Sequence, residues 1–153
     1  MNIRKYTKDD NHEIYNLFYD SVHSIKRKIY TKKQLDEWAK KLTDIENWCK
    51  KFTDSYTLVA EENGKIIGFS NITKDGYIET LYVHTNHQHK KVATNLLSDI
   101  EKYSIDNNLS QILTYSSKNA KAFFEKSGYS VSEENILIRG KEELKNYLMK
   151  KER

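Results

Sequence analysis

The stretch YVHTNHQHKKVATNLL, Tyr82 to Leu97, runs from an extended apolar start through a polar, basic middle into a helix-like repeat. A strand that passes through a short polar loop into a helix has a physical use. The first turn of a helix exposes backbone N–H groups that lack intrahelical partners, and its dipole favours negative charge. Here that turn falls near Gln88 to Thr94. His89, Lys90 and Lys91 add positive charge, and Thr94 adds a hydroxyl donor. The chemistry such a loop suits is holding a pyrophosphate. A solvated basic surface loop has the same composition, and the loop alone leaves both readings open. His84, His87 and His89 share this segment, but no carboxylate or cysteine of obvious geometry joins them, so no metal site is expected.

The surrounding elements must place that loop. Tyr56 to Glu62 reads as a strand, Asn63-Gly64 as a tight hairpin turn, and Lys65 to Ile72 as the returning strand. Asp75-Gly76 marks a second turn before a third strand, Tyr77 to Val83. Downstream of the loop, Val92, Ala93, Leu96, Leu97, Ile100 and Tyr103 fall at helical spacing, and Asn107-Asn108 is a plausible stop. Gln111 to Tyr115 is a further strand. Ser117 is positioned to cap the next helix, and Gly128 to end it. Tyr129 to Val131 and Ile136 to Ile138 read as two short closing strands, and Glu142 to Met149 as a terminal helix. Upstream, Asn2 to Tyr6 is a first strand, and Asp9 or Asp10 is set to cap a helix with Ile14, Leu17, Phe18, Val22 and Ile25 on one face. Thr31 and Gln34 form a capping box for a second helix. Ile45, Trp48 and Phe52 mark another short helical piece. The order is that of an α+β layer with helices packed on a mixed sheet.

Composition bounds the function classes. The chain has 153 residues, 26 Lys+Arg against 22 Asp+Glu, 37% apolar and 12% aromatic residues. That length suggests one domain, 1–153. A net charge of +4, spread along the chain, suits a local pocket for an anion. It carries no dense basic-aromatic stripe of the kind that binds nucleic acid, so nucleic acid is not expected. The single cysteine, Cys49, excludes an intrachain disulfide and fits a reducing compartment. MNIRKYTKDD has no apolar h-region and no stretch is long and apolar enough to span a membrane, so a cytoplasmic protein is expected.

The meander, Leu81-Tyr82-Val83 and the loop together resemble the GNAT superfamily of acetyl-CoA-dependent N-acetyltransferases. The family's loop pattern is Gln or Arg, two residues, Gly, one residue, then Gly or Ala. Gln88 and Ala93 match it, while Lys91 stands at the usual glycine. A second segment, NAKAFFEKSGY from Asn119 to Tyr129, resembles the family's Asn, apolar helix and Tyr-Glu-Lys-x-Gly-Phe. Phe124 stands where the family often has tyrosine.

The resemblance implies a GNAT-like, mostly antiparallel central sheet with helices on both faces and a splayed strand pair. Leu81, Tyr82 and Val83 would part from Gln111 to Tyr115 and meet the pantetheine arm of acetyl-CoA, the cosubstrate. Gln88, His89, Lys90, Lys91, Val92, Ala93 and Thr94 would hold its pyrophosphate through main-chain N–H groups. Asn119 would reach the pantetheine, and Phe124 would pack near the thioester. As alternatives, Asn119 belongs simply to its helix's first turn and Phe124 to the core. A lysine at position 91 keeps its N–H available if its φ stays negative, and that geometry is the expectation.

Amine attack on a thioester needs a neutral amine, hence a base or a water chain. Alternation puts Tyr77, Glu79, Leu81 and Val83 on one sheet face, and Glu79 is the candidate base. A surface carboxylate is its equal alternative. Phe124 cannot donate a proton, so Tyr115, Ser116 or water would protonate the leaving thiolate, or it leaves unaided. His23, Tyr30 and Tyr77 are candidate acceptor-site residues, a surface position being the alternative for His23; Trp38 is a further candidate whose first reading is core. The implied activity is acetyl transfer to a primary amine of a small molecule or protein by direct attack in a ternary complex. The alternative is a non-catalytic acyl-CoA-binding or sensing module on the same scaffold, with Lys91 and Phe124 as its evidence. Oligomeric state stays open, a homodimer being common among similar proteins.

Overall fold

The computed structural model describes residues 1–88 and 91–152. Its centre is the meander. Asn63 and Gly64 both take positive φ, 54° and 75°. That geometry lets two residues reverse the chain without fighting strand twist. Strand β2 (Tyr56–Glu62) therefore folds straight back as β3 (Lys65–Ile72), and β4 (Tyr77–Val83) follows after Gly76. β1 (Asn2–Lys5) pairs with the outer edge of β2. On the other side lie β5 (Gln111–Ser117), β7 (Glu142–Glu152) and β6 (Ser130–Arg139). The seven-stranded order among the described residues is β1-β2-β3-β4-β5-β7-β6, with β4–β5 parallel and the other neighbours antiparallel.

Each face of the sheet is covered by helices. α1 (Asn11–His23), α2 (Lys32–Trp38), α3 (Ile45–Trp48) and α4 (Lys50–Thr53) cover one face. Ile14, Phe18, Leu35 and Phe52 meet Val59 and Phe69 there. α5 (Val92–Asp106) and α6 (Lys121–Lys126) cover the other, where Leu96 and Ile100 meet Leu58, Ile78 and Ile112. Full burial of one such side chain contributes about 1.5–3 kcal/mol. α5 lies close on the sheet because β3 offers Gly68: a Cβ there would come within 3.0 Å of Val92 and Leu96 side-chain atoms. That close approach brings the start of α5 to the end of β4.

The α+β reading, the meander, α5 and the Thr31–Gln34 capping box agree with the sequence. In that box Gln34 N donates to Thr31 Oγ1 (3.2 Å) and Thr31 N to Gln34 Oε1 (2.8 Å). Three expectations are corrected. Glu142 to Met149 is strand, not helix: β7 fills the gap between β5 and β6, pairing with β6 over residues 142–150 and with β5 over residues 146–152. Its helix-favouring Glu, Leu, Lys and Met yield to that tertiary demand. The two short closing strands are one, β6, continuous across a register shift between Val131 and Glu133. Ser117 ends β5 rather than capping α6, whose N-cap is Ala120. Asp10 is the N-cap of α1 but makes no side-chain cap bond. Its carboxylate instead accepts from Arg4 at 2.9 Å and from Thr7 N at 2.9 Å.

Candidate active site

β4 and β5 pair at Tyr77–Leu113 and Ile78–Thr114, and the pairing stops there. Thr114 Oγ1 donates to Ile78 O (3.0 Å) at the last rung. Beyond it β4 stays with β3 as far as Val83, and β5 stays with β7 as far as Ser117. The two strands part, and the β5-facing edge of β4 is left open from Glu79. A bulge accompanies the parting. Asn71 is opposite Thr80 and Ile72 opposite Ile78, so Glu79 is the residue without a partner. Bulges bend a strand and raise its twist. This one also corrects the expected alternation. Ile78, Leu81 and Val83 pack with the α5 core, whereas Tyr82 packs with the α1 core. Tyr77 and Glu79 are therefore out of phase with Leu81 and Val83.

A cleft of about 800 Å³ occupies the opening. It brings together Leu81, Tyr82, Val83, Gln88, Lys91 and Thr94, and on the β5 side Ser116, Asn119 and Phe124. Val92 and Ala93 also line it, Val92 with its side chain in the core. His89 and Lys90 lie outside the described residues. Ser21 Oγ from α1 already donates to Val83 O (3.1 Å), which reduces what that carbonyl can offer a ligand.

Lys91 is the N-cap of α5, and its own side chain makes no cap hydrogen bond. Its φ is 65° and ψ 12°, so the expected negative φ is overturned. At the entry to α5, Lys91 takes the left-handed geometry that glycine would supply without strain. In an L-residue this costs about 1–2 kcal/mol, against about 0.5–1 kcal/mol for glycine's extra chain entropy. Lys91→Gly should thus raise folding stability by about 0.5–1 kcal/mol. Lys91→Ala keeps the strain and should change stability little. Urea denaturation of the two variants checks the difference.

A second cavity, about 530 Å³, opens on the α1 side. Tyr15, Phe18, Trp48 and Tyr82 form aromatic walls, with Tyr77 and Tyr115 at one side and Lys51 and Arg139 among the charged lining. The cavities share Trp38, Glu79, Thr80, Tyr82, Tyr115 and Ser117. Glu79 is thus at their junction. Its Oε1 accepts from Asn71 Nδ2 (2.8 Å), and buried Asn71 also donates to Ser55 Oγ (2.9 Å) and accepts from Thr80 Oγ1 (2.5 Å). The bulge presents the carboxylate, and this network fixes it.

Tyr115 is half-exposed, its ring 6.0 Å from that of Tyr77. Burial pushes the Tyr77 phenol up, and the Glu79 charge adds to the effect. Burial raises Tyr82 strongly, with a hydrogen bond from Trp38 opposing. Ser116 is buried, and its hydroxyl donates to Ser117 O (2.9 Å). Tyr30 lines the second cavity, but its hydroxyl is engaged twice: it donates to Lys145 O (2.6 Å) and accepts from Lys118 N (3.0 Å). It braces the wall. His23 lines neither cavity: its ring packs tilted against Tyr19, centroids 4.2 Å apart, and its Nε2 meets Ala39 O at 2.8 Å. Trp38 packs against the α1 core, as read from the sequence, and also lines both cavities. Burial raises the Cys49 thiol to about 11, so it is protonated at neutral pH, and Cys49 lines neither cavity.

Sequence reasoning missed Trp48, Lys51 and Arg139. Trp48 was legible as part of an apolar triplet that faces inward, and inward here is a cavity. Arg139 was hidden by the misread β6–β7 hairpin. Among the described residues no group of three or more His, Cys, Asp or Glu side chains converges as a metal site. His87 instead faces Glu62 at 3.3 Å, and His84 Nδ1 accepts from Asn86 N.

A parted strand pair, a helix starting at its open end, and a second cavity meeting the first at a carboxylate are the architecture of a two-substrate transferase. Residues 26–151 match the family described as Acetyltransferase (GNAT) domain, and the chain belongs to that family. It is 28% identical over 141 residues to the Uncharacterized N-acetyltransferase YafP of Escherichia coli (strain K12), spanning 92% of this chain and 89% of that protein. The crystal structure of a GCN5-Related N-acetyltransferase (Aminotransferase, Class-II) from Rhodopseudomonas palustris superposes with a TM-score of 0.95 at 26% identity, over 99% of this chain and 95% of that one. PaiA N-acetyltransferase from Thermoplasma acidophilum, solved in complex with coenzyme A, shares the fold with a TM-score of 0.81 at 20% identity, over 99% and 98% of the two chains.

Proposed function

We propose that this protein transfers the acetyl group of acetyl-CoA to a primary amine of a small molecule or protein, by direct attack in a ternary complex. The observation that carries the proposal is the parting of β4 from β5 at Glu79, with the start of α5 at the open end. The open β4 edge suits the amides of a pantetheine arm. The α5 first turn, which the Lys91 side chain leaves uncapped, suits the diphosphate.

The acceptor amine enters from the aromatic cavity. Its nitrogen attacks the thioester carbonyl carbon, the C–N bond forms, and the C–S bond breaks. Glu79 takes the amine proton, directly or through one water. Phe124 has no proton to give the departing sulfur. Ser116 has its proton committed to Ser117 O, so Tyr115, which lines both cavities, is the better donor. No acyl-enzyme is needed, because the one cysteine is a buried neutral thiol away from both cavities. A free cysteine fits the cytoplasm, and among the described residues no helix is long and apolar enough to cross a membrane.

Phe124 and the strained Lys91 favour a second reading, an acyl-CoA-binding module without turnover. Calorimetry with acetyl-CoA, followed by thiol release over a panel of primary amines, separates the two. Binding with amine-dependent thiol release is the expected result. Binding without release supports the module, and absence of binding removes both.

A further inference from the structure

The acceptor cavity holds more positive charge than its own carboxylates neutralise. Its charged lining is Glu37, Lys40, Lys51, Glu79 and Arg139, three cations against two carboxylates. Glu37 and Lys40 pair with each other at 3.1 Å. Glu79 is held by Asn71 and reaches Lys51 only through the longer-range field. Lys51 Nζ lies 4.3 Å from the Trp48 ring centroid and 5.7 Å from that of Phe52, and Arg139 Nη1 meets the Ile138 carbonyl at 3.5 Å. Neither cation has a carboxylate within ion-pair distance among the described residues. Arg139 is exposed to solvent, so the cost falls on Lys51: a half-buried ammonium lodged among rings and short of an anion is costly, and an oxyanion brought by a ligand offsets that cost. Burial depresses the Lys51 pKa, with Arg139 also lowering it and Glu79 opposing, as expected of an ammonium short of negative charge. A guanidinium presents paired donors that match a planar carboxylate.

We infer that the acceptor is a primary amine that also carries a carboxylate, its amine directed to Glu79, its carboxylate to Lys51 and Arg139, and its flat apolar body against Trp48. The inference rests on the acetyl-transfer reading for the place of the amine, but the anion selectivity belongs to the cavity itself. Tyr15 and Phe18 complete the wall that receives the body.

Two matched probe pairs test it: L-phenylalanine against phenethylamine, and 4-(aminomethyl)benzoate against benzylamine. They differ in the carboxylate and in its distance from the amine. Each is titrated by calorimetry into the protein saturated with CoA. At least one acid should bind about tenfold or more tighter than its neutral partner, and Lys51→Met or Arg139→Gln should bring that ratio to about one, with CoA affinity unchanged. Equal or weaker binding of both acids, no binding of any probe, or a ratio indifferent to both variants would overturn the inference. Should CoA fail to bind, the acetyl-transfer reading falls, and the same pairs titrated into the protein alone decide the anion selectivity.

Discussion

Glu79→Gln should lower kcat by about 10²–10⁴-fold, the range that a positioned general base contributes, while acetyl-CoA affinity stays within about twofold. The substitution is nearly isosteric. Asn71 Nδ2 still finds a side-chain carbonyl oxygen where Glu79 Oε1 accepts at 2.8 Å, so the bulge and the network behind it persist. Only the capacity to accept a proton is lost. The sign of the pH effect follows. A base works deprotonated, so wild-type turnover carries an acidic limb along which the rate rises with pH. In the variant this acidic limb disappears and the remaining rate follows the amine's own ionisation. Thiol release across pH, with calorimetry for the cosubstrate, reads both. A kcat within about threefold of wild type and an unchanged acidic limb would remove Glu79 from the chemistry.

Glu79 also marks what the sequence could and could not disclose. Turns and caps are written locally. Asn63-Gly64 dictates its hairpin, the Thr31–Gln34 pair its helix start, and Val92 to Ile100 the face of α5, because each depends on residues a few positions apart. Strand β7 depends on partners distant in the chain, and its composition favours helix, so periodicity misassigns it. The bulge at Glu79 is a mismatch between two strands. One strand read alone looks regular, and simple alternation therefore places Glu79 with Leu81 and Val83. Lys91 fails differently. The position of the departure from the loop pattern was legible, but its left-handed φ is a backbone geometry that a lysine at that place does not announce. The acceptor cavity was least legible because Trp48, Lys51 and Arg139 come from α3, α4 and the end of β6, elements with no sequence motif in common.

Asn71→Asp should move the acidic limb of the rate profile upward by about 1–2 pH units and restore most of the rate above it. Asn71 is buried, and its Nδ2 is 2.8 Å from Glu79 Oε1. A second carboxylate there confronts the first at contact distance. Two such groups do not both ionise readily, so the pair retains a proton to higher pH, and the limb belongs to the pair rather than to either residue. At a fixed pH below the limb, turnover falls about tenfold for every pH unit by which the limb rises, since the fraction of free base falls by that factor. Thr80 Oγ1 keeps its acceptor, because Asn71 Oδ1 has an equivalent in aspartate. Asn71→Leu supplies the contrast. It removes the support without adding charge and leaves the buried Thr80 hydroxyl without its acceptor, at about 1–3 kcal/mol of stability, while Ser55 Oγ keeps Lys51 O. It should not bring the large upward movement of the limb. A uniform loss of rate at every pH in Asn71→Asp, with the limb unmoved, would mean that the proton leaves the amine by a route that bypasses Glu79. The aromatic cavity would then have to deliver the amine already neutral.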